Sequence, residues 1–214
     1  MDRLARSDIL VVCTANVCRS PLAEYVLQEL LRGTRGFESV AIGSVGVKPV
    51  RNGRMCELAE ASLTGTNAEP FARAHKSLSA TPTRLGNATL ILTASRSNRA
   101  AIARILPQAR PRTFTITEAI ALGQGFSPEG ETGVDAVRAF ARYLDARRGL
   151  AAPVAPSGVR SWFSRASDPW SIADGHNLGA KQHARTISEV RSRVTTLGGI
   201  LVEGARSSSA ARAS

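Results

Sequence analysis

Residues 13–21 read Cys-Thr-Ala-Asn-Val-Cys-Arg-Ser-Pro, and they set a thiol, Cys13, six positions before a guanidinium, Arg19. A thiol reacts as its thiolate, and a helix N-terminus or a nearby cation favours that form. A guanidinium is a planar fork that grips two oxygens of one phosphate and keeps its charge throughout. Ser20 adds a hydroxyl that can donate to the sulfur or steady it as a leaving group. The set suits attack of sulfur on phosphorus, with a phosphocysteine formed and the residues Thr14, Ala15, Asn16, Val17, Cys18, Arg19 and Ser20 wrapped around the phosphate. A bare C-x5-R is a weak pattern in an Arg-rich chain, and Cys13 alone reads as well as a buried strand-end thiol.

The flanking elements decide between these readings. The apolar run Ile9-Leu10-Val11-Val12 stops at Cys13, and Pro21 opens a helical pattern with Leu22, Val26, Leu27 and Leu30 on one face. A strand, a tight loop and a helix N-terminus in immediate succession turn backbone N–H groups and the positive end of the helix dipole into one cup.

At these residues the chain resembles the low-molecular-weight protein tyrosine phosphatases, whose phosphate loop and first helix look like Cys-Thr-Ala-Asn-Val-Cys-Arg-Ser-Pro-Leu-Ala-Glu. The resemblance implies Cys13 as nucleophile and Arg19 as phosphate clamp. It implies a general acid and base at Asp168, in the late triplet Asp168-Pro169-Trp170, with Trp170 walling the substrate cleft. It also implies that Ser44, Glu24 and His75 support Asn16 and so fix the loop's shape. One family feature is missing: an acidic residue often follows the third strand, where this chain reads Ala94-Ser95-Arg96-Ser97. The thioredoxin-coupled arsenate reductases share fold and loop. Their chemistry needs further thiols, and none lies between residues 77 and 100. A phosphate-binding module with little catalysis is the third reading. Cys18 suggests in addition a reversible disulfide with Cys13 that protects it from overoxidation.

Further strands are expected over 40–43, 87–93 and 112–116, besides 8–12. Helices are expected over 21–31, 53–61, 97–106, 117–122, 133–148 and 178–201, with Met55, Leu58 and Ala59 on the core face of the second. This alternation predicts an α/β fold: one domain with a four-stranded parallel sheet flanked by helices and the phosphate loop at the carboxyl end of the first strand. The domain is expected over residues 1–204, with a Pro/Ala-rich insertion at 149–166 and a disordered tail at 205–214. Trp162 and Phe163 in the insertion could line the cleft or pack on the body.

The 214 residues carry a net charge of +11, but 25 of the 28 basic residues are Arg and they are scattered. No basic stripe interleaved with aromatics accompanies them, so nucleic acid is not the expected partner. No run is long enough for a membrane span. Three cysteines make no disulfide framework, and a nucleophilic thiol points to the reducing cytoplasm. No zinc-type Cys/His spacing is present, and neither metal nor cofactor is expected. The expected substrate is a phosphotyrosine protein or a small aryl phosphate, and the oligomeric state stays open.

Overall fold

The computed structural model describes residues 7–128, 130–150 and 168–211. The chain runs β1 (Ile9–Cys13), α1 (Arg19–Arg32), β2 (Ile42–Gly46), α2 (Glu57–Ala61), α3 (Ala68–Ala74), α4 (Pro82–Gly86), β3 (Leu90–Thr93) and α5 (Arg96–Ile105). A 3-10 turn (Pro107–Arg112), β4 (Thr113–Thr115), α6 (Ile116–Gly123), α7 (Gly133–Ala146) and α8 (Ala180–Ala211) follow. The four strands form one parallel sheet in the order β2-β1-β3-β4. The chain leaves β1 toward one side and returns for β3 on the other, so the end of β1 is the switch point where open α/β sheets bind ligands.

Both faces of the sheet are covered, which is why β1 is apolar throughout. Ile9 and Val11 face the larger core with Leu22, Leu27, Phe114, Phe140, Val190 and Val194. Leu10 and Val12 face the smaller core with Val45, Leu85 and Ile102. The inward faces of the long helices follow their sequence period: Val137, Phe140, Ala141 and Leu144 in α7, and Ile187, Val190, Val194, Leu197 and Leu201 in α8, are buried. Among the described residues no helix is long and apolar enough to cross a membrane.

Several boundaries differ from the expectation. The second strand is Ile42–Gly46 rather than 40–43, so Ser44 lies in mid-strand, paired with Val11. The helix expected over 53–61 is confined to Glu57–Ala61, because Cys56 N donates to Val17 O at 2.7 Å and Gly53 O accepts from Ser77 N at 2.8 Å. Those bonds to the loop after β1 and to Ser77 hold 53–56 open, and Leu58, expected in the core, is 40% exposed. Helix α3, Ala68–Ala74, lies where no helix is expected. Helix α8 continues through 205–211, inside the stretch expected as a disordered tail; its Ala content and lack of Pro favour continuation. Most of the expected insertion, with Trp162 and Phe163, lies outside the described residues.

Candidate active site

Cys13 is the last residue of β1, and the chain then makes a tight arch into α1. Two groups reach its sulfur: Ser20 Oγ, hydrogen-bonded at 3.0 Å, and Asn16 N, which donates at 3.2 Å. The Asn16 backbone sits in the left-handed region at φ 56°, which turns its N–H inward toward Cys13. Asn16 is wholly buried and its side chain is fully engaged. Its Nδ2 donates to Ser20 Oγ at 2.9 Å and to Ser44 Oγ at 2.8 Å, while Oδ1 accepts from Leu78 N at 2.8 Å.

The arch is also held from outside. His75, at the end of α3, places Nε2 2.9 Å from the Asn16 carbonyl. A carbonyl only accepts, so Nε2 carries the proton. Burial pushes the His75 imidazole below its ordinary value, and the bond to Asn16 opposes this more weakly. Ser77 Oγ donates to Ala15 O at 2.8 Å. Gly46, beside Cys13 in the sheet, lets β2 approach the loop: a Cβ there would lie 2.6 Å from the Thr14 carbonyl oxygen. Glu24 accepts from Gln28 at 3.2 Å. With Ser44 and His75 it lines a cleft of about 410 Å³ that neither Cys13 nor Arg19 reaches.

Arg19 opens α1 and is buried. Its guanidinium donates to Ile172 O at 3.2 Å, to Thr14 Oγ1 at 3.5 Å and to the Asp174 carboxylate. Asn98, at 3.2 Å from the same Thr14 hydroxyl, ties α5 to the loop. Nothing in the sequence around Asp174 or Asn98 marks either as part of the site. Asp174 lies six residues beyond Asp168 and supplies a carboxylate that the end of β3 lacks.

Residues 168–176 cross the sheet's carboxyl edge and are strapped to β3: Ile172 N donates to Ala94 O at 2.8 Å and Arg96 N to Ser171 Oγ at 3.0 Å. The strap brings this segment onto Arg19. Asp168 accepts from Trp170 N at 3.1 Å and Ser171 Oγ at 2.7 Å, and Arg96 lies 3.9 Å from its Oδ1. Trp170 is half-buried on the same turn.

The other two thiols are turned elsewhere. Cys18 Sγ lies 3.2 Å from His183 Nε2, and Cys56 Sγ lies 3.5 Å from the same nitrogen. His176 Nδ1 is 3.4 Å from it. The bond from Cys18 holds the Cys56 thiol down to about 5 from its ordinary 9.0, against the effect of burial. The same bond, then burial, pushes Cys18 up. Cys18 thus faces Cys56 and His183, whereas the protective disulfide suggested by the sequence would need it at Cys13.

A buried cysteine–arginine loop at the switch point of a parallel sheet fits a cysteine-dependent phosphatase. The model of the low molecular weight phosphotyrosine protein phosphatase family matches residues 8–121. The low molecular weight protein-tyrosine-phosphatase Ptp of Acinetobacter johnsonii is 30% identical over 109 residues, 51% of this chain and 71% of that protein. The chain therefore belongs to this family. Its fold is shared by the tyrosine phosphatase Wzb of Escherichia coli K30, solved with phosphate (20% identity, TM-score 0.56, 89% of this chain and 94% of that one). It is shared too by the YwlE arginine phosphatase of Geobacillus stearothermophilus (20% identity, TM-score 0.57, 90% and 91%). The matched residues include the phosphate loop, Ser44 and His75, and end before Asp168.

Proposed function

We propose that Cys13 is the nucleophile, Arg19 the phosphate clamp and Asp168 the general acid and then base of a protein-tyrosine-phosphatase. The observation that carries this reading is the loop itself: Cys13 Sγ lies between Ser20 Oγ and Asn16 N, with Arg19 at the start of α1. In the first step the sulfur bonds to phosphorus and the ester oxygen leaves, taking the proton of the Asp168 carboxyl. In the second, Asp168, now a carboxylate, takes a proton from water as its oxygen attacks phosphorus and the S–P bond breaks. Ser20 donates to the departing sulfur, and Arg19 with the loop amides holds the equatorial oxygens.

Asp168 is favoured over Asp174 for the acid by its partners. Asp174 is ion-paired with the buried Arg19, the clamp itself, whereas Asp168 is held by a backbone N–H and a serine hydroxyl of its own turn, with the exposed Arg96 3.9 Å away. The preference for a phosphorylated aromatic ring rests on Trp170 beside Asp168, whose face can stack on a phenyl group. The setting is the cytoplasm, where a free thiol persists.

The test is hydrolysis of p-nitrophenyl phosphate in dithiothreitol by the wild type, Cys13→Ser and Asp168→Asn, followed by phosphotyrosine, phosphoserine and phosphoarginine peptides. Abolished turnover in Cys13→Ser and a fall of about 10²-fold or more in Asp168→Asn are expected. Full activity of Asp168→Asn would remove it as the acid. A better rate on the serine or arginine peptide would replace the substrate assignment.

A further inference from the structure

The chain has three cysteines and three histidines. Cys13 and His75 serve the phosphate loop, and the other four converge on one point. Cys18 Sγ, Cys56 Sγ, a His176 nitrogen and a His183 nitrogen all lie within 4.8 Å of one another. The sites of attachment are mostly helix ends: Cys18 precedes α1, Cys56 precedes α2, and His183 lies in the first turn of α8. His176 comes from the segment that carries Asp168 and Asp174. Gly175 lets that segment touch α8, since a Cβ there would lie 2.4 Å from Gln182 O, and its N–H donates to Thr186 Oγ1 at 3.1 Å.

Hydrogen bonding alone fits this arrangement poorly. His183 Nε2 has Cys18 Sγ at 3.2 Å, His176 Nδ1 at 3.4 Å and Cys56 Sγ at 3.5 Å. One ring nitrogen offers a single proton or a single lone pair, so it serves one of three neighbours well. A cation at the centre would satisfy all four groups together. For tetrahedral zinc, with Zn–N of about 2.0–2.1 Å and Zn–S of about 2.3 Å, the ligand-to-ligand edges are about 3.3–3.4 Å for N–N and 3.6 Å for N–S. The three separations at His183 Nε2, 3.4 Å to nitrogen and 3.2 and 3.5 Å to the sulfurs, match these edges to within a few tenths of an ångström, and every other pair lies within 4.8 Å.

We propose that Cys18, Cys56, His176 and His183 bind one zinc ion in a closed Cys2His2 site that fastens the segment bearing Asp168, and the start of α8, to the phosphate loop. Two thiolates balance the charge of the ion, so the complex enters its partly buried setting without net charge. Four protein ligands leave no open position, which makes the ion structural rather than catalytic. It binds Cys18 next to Arg19 and so keeps that thiolate from pairing with Cys13.

The test uses the full chain, purified without a histidine tag. Elemental analysis is expected to find one zinc per chain in the wild type and in Cys13→Ser, and little in Cys56→Ser or His176→Ala. Cobalt substitution is expected to give the ligand-field and thiolate charge-transfer bands of a tetrahedral site in the wild type alone of the wild type and the latter two variants. Free zinc at a hundredfold above its Kd should raise the unfolding midpoint of chelator-treated protein by about 5–10 °C. His176 is exposed, so its variant folds even where Cys56→Ser does not. Zinc-free protein whose midpoint does not move with added zinc would overturn the proposal. So would full zinc binding by both ligand variants, or stoichiometric binding of a different metal.

Discussion

Replacing Asn16 by Ala tests how the phosphate loop keeps its shape. The substitution deletes three buried side-chain hydrogen bonds, two donated to Ser20 and Ser44 and one accepted from Leu78 N. At about 1 kcal/mol each they contribute about 3 kcal/mol. Alanine also has to hold the left-handed backbone at φ 56°, where asparagine is tolerated and alanine is strained by about 1 kcal/mol. The expected loss is about 4 kcal/mol, read as a shift in urea midpoint at unchanged slope, or as a drop of about 8–16 °C in Tm. Turnover should fall about 10²-fold, because the Asn16 N–H that points at Cys13 is no longer held. Asn16→Gly separates the two terms: it removes the strain, keeps the loss of bonds and should recover about 1 kcal/mol over Ala. A loss below about 1 kcal/mol in Asn16→Ala, or unchanged kcat, would refute the view that this side chain organises the loop.

Asp174→Asn removes the carboxylate paired with Arg19, and kcat/KM for p-nitrophenyl phosphate should fall about tenfold in steady-state assays, equivalent to about 1.4 kcal/mol; an unchanged value would show that Arg19 needs no such partner. Gly46→Ala sets a methyl against the Thr14 carbonyl and should destabilise the fold by about 1–3 kcal/mol with a matching loss of activity, both absent if the strands simply part. His75 has its folded value below the ordinary 6.5, so the neutral ring stabilises the fold above that pH, and the contribution fades as pH falls through the lower folded value. Urea titrations across this range should show a steeper acid loss in the wild type than in His75→Gln, and equal slopes would exclude His75 as the cause.

The parts legible in the sequence are those written in short spans. Ile9 to Pro21 carries strand, loop and helix start in consecutive residues, and the inward faces of α7 and α8 follow from a single period. What stayed hidden depends on contacts between distant segments. Helix α2 starts late because residues 53–56 bond to Val17 and Ser77 rather than to themselves. Ser44 belongs to β2 because the strand pairs up to the end of β1. Asp174 is an ordinary loop aspartate until Ile172 N meets Ala94 O and brings it onto Arg19. The Cys/His cluster draws on positions 18, 56, 176 and 183, whose spacings match no short motif. The available signal was indirect: every Cys and His outside the loop chemistry belongs to it.

The bonds between the end of β3 and residues 168–176 bring a carboxylate to Arg19 although residues 94–97 hold none. The end of β3 offers backbone instead: Ala94 O takes the Ile172 amide, and Arg96 N reaches Ser171 Oγ. These two bonds fix the middle of the segment, with Asp168 on one side and Asp174 on the other. Asp174 then meets the guanidinium from beyond Asp168 rather than from the sheet. Asp168, the proposed acid, and Asp174, the partner of Arg19, are therefore carried on one strap, and a change at Ser171 or Ile172 displaces both. Kinetic effects of substitutions within 168–176 consequently report the joint geometry of Arg19 and Asp168, and only the conservative carboxylate variants, Asp168→Asn and Asp174→Asn, separate proton transfer from phosphate binding.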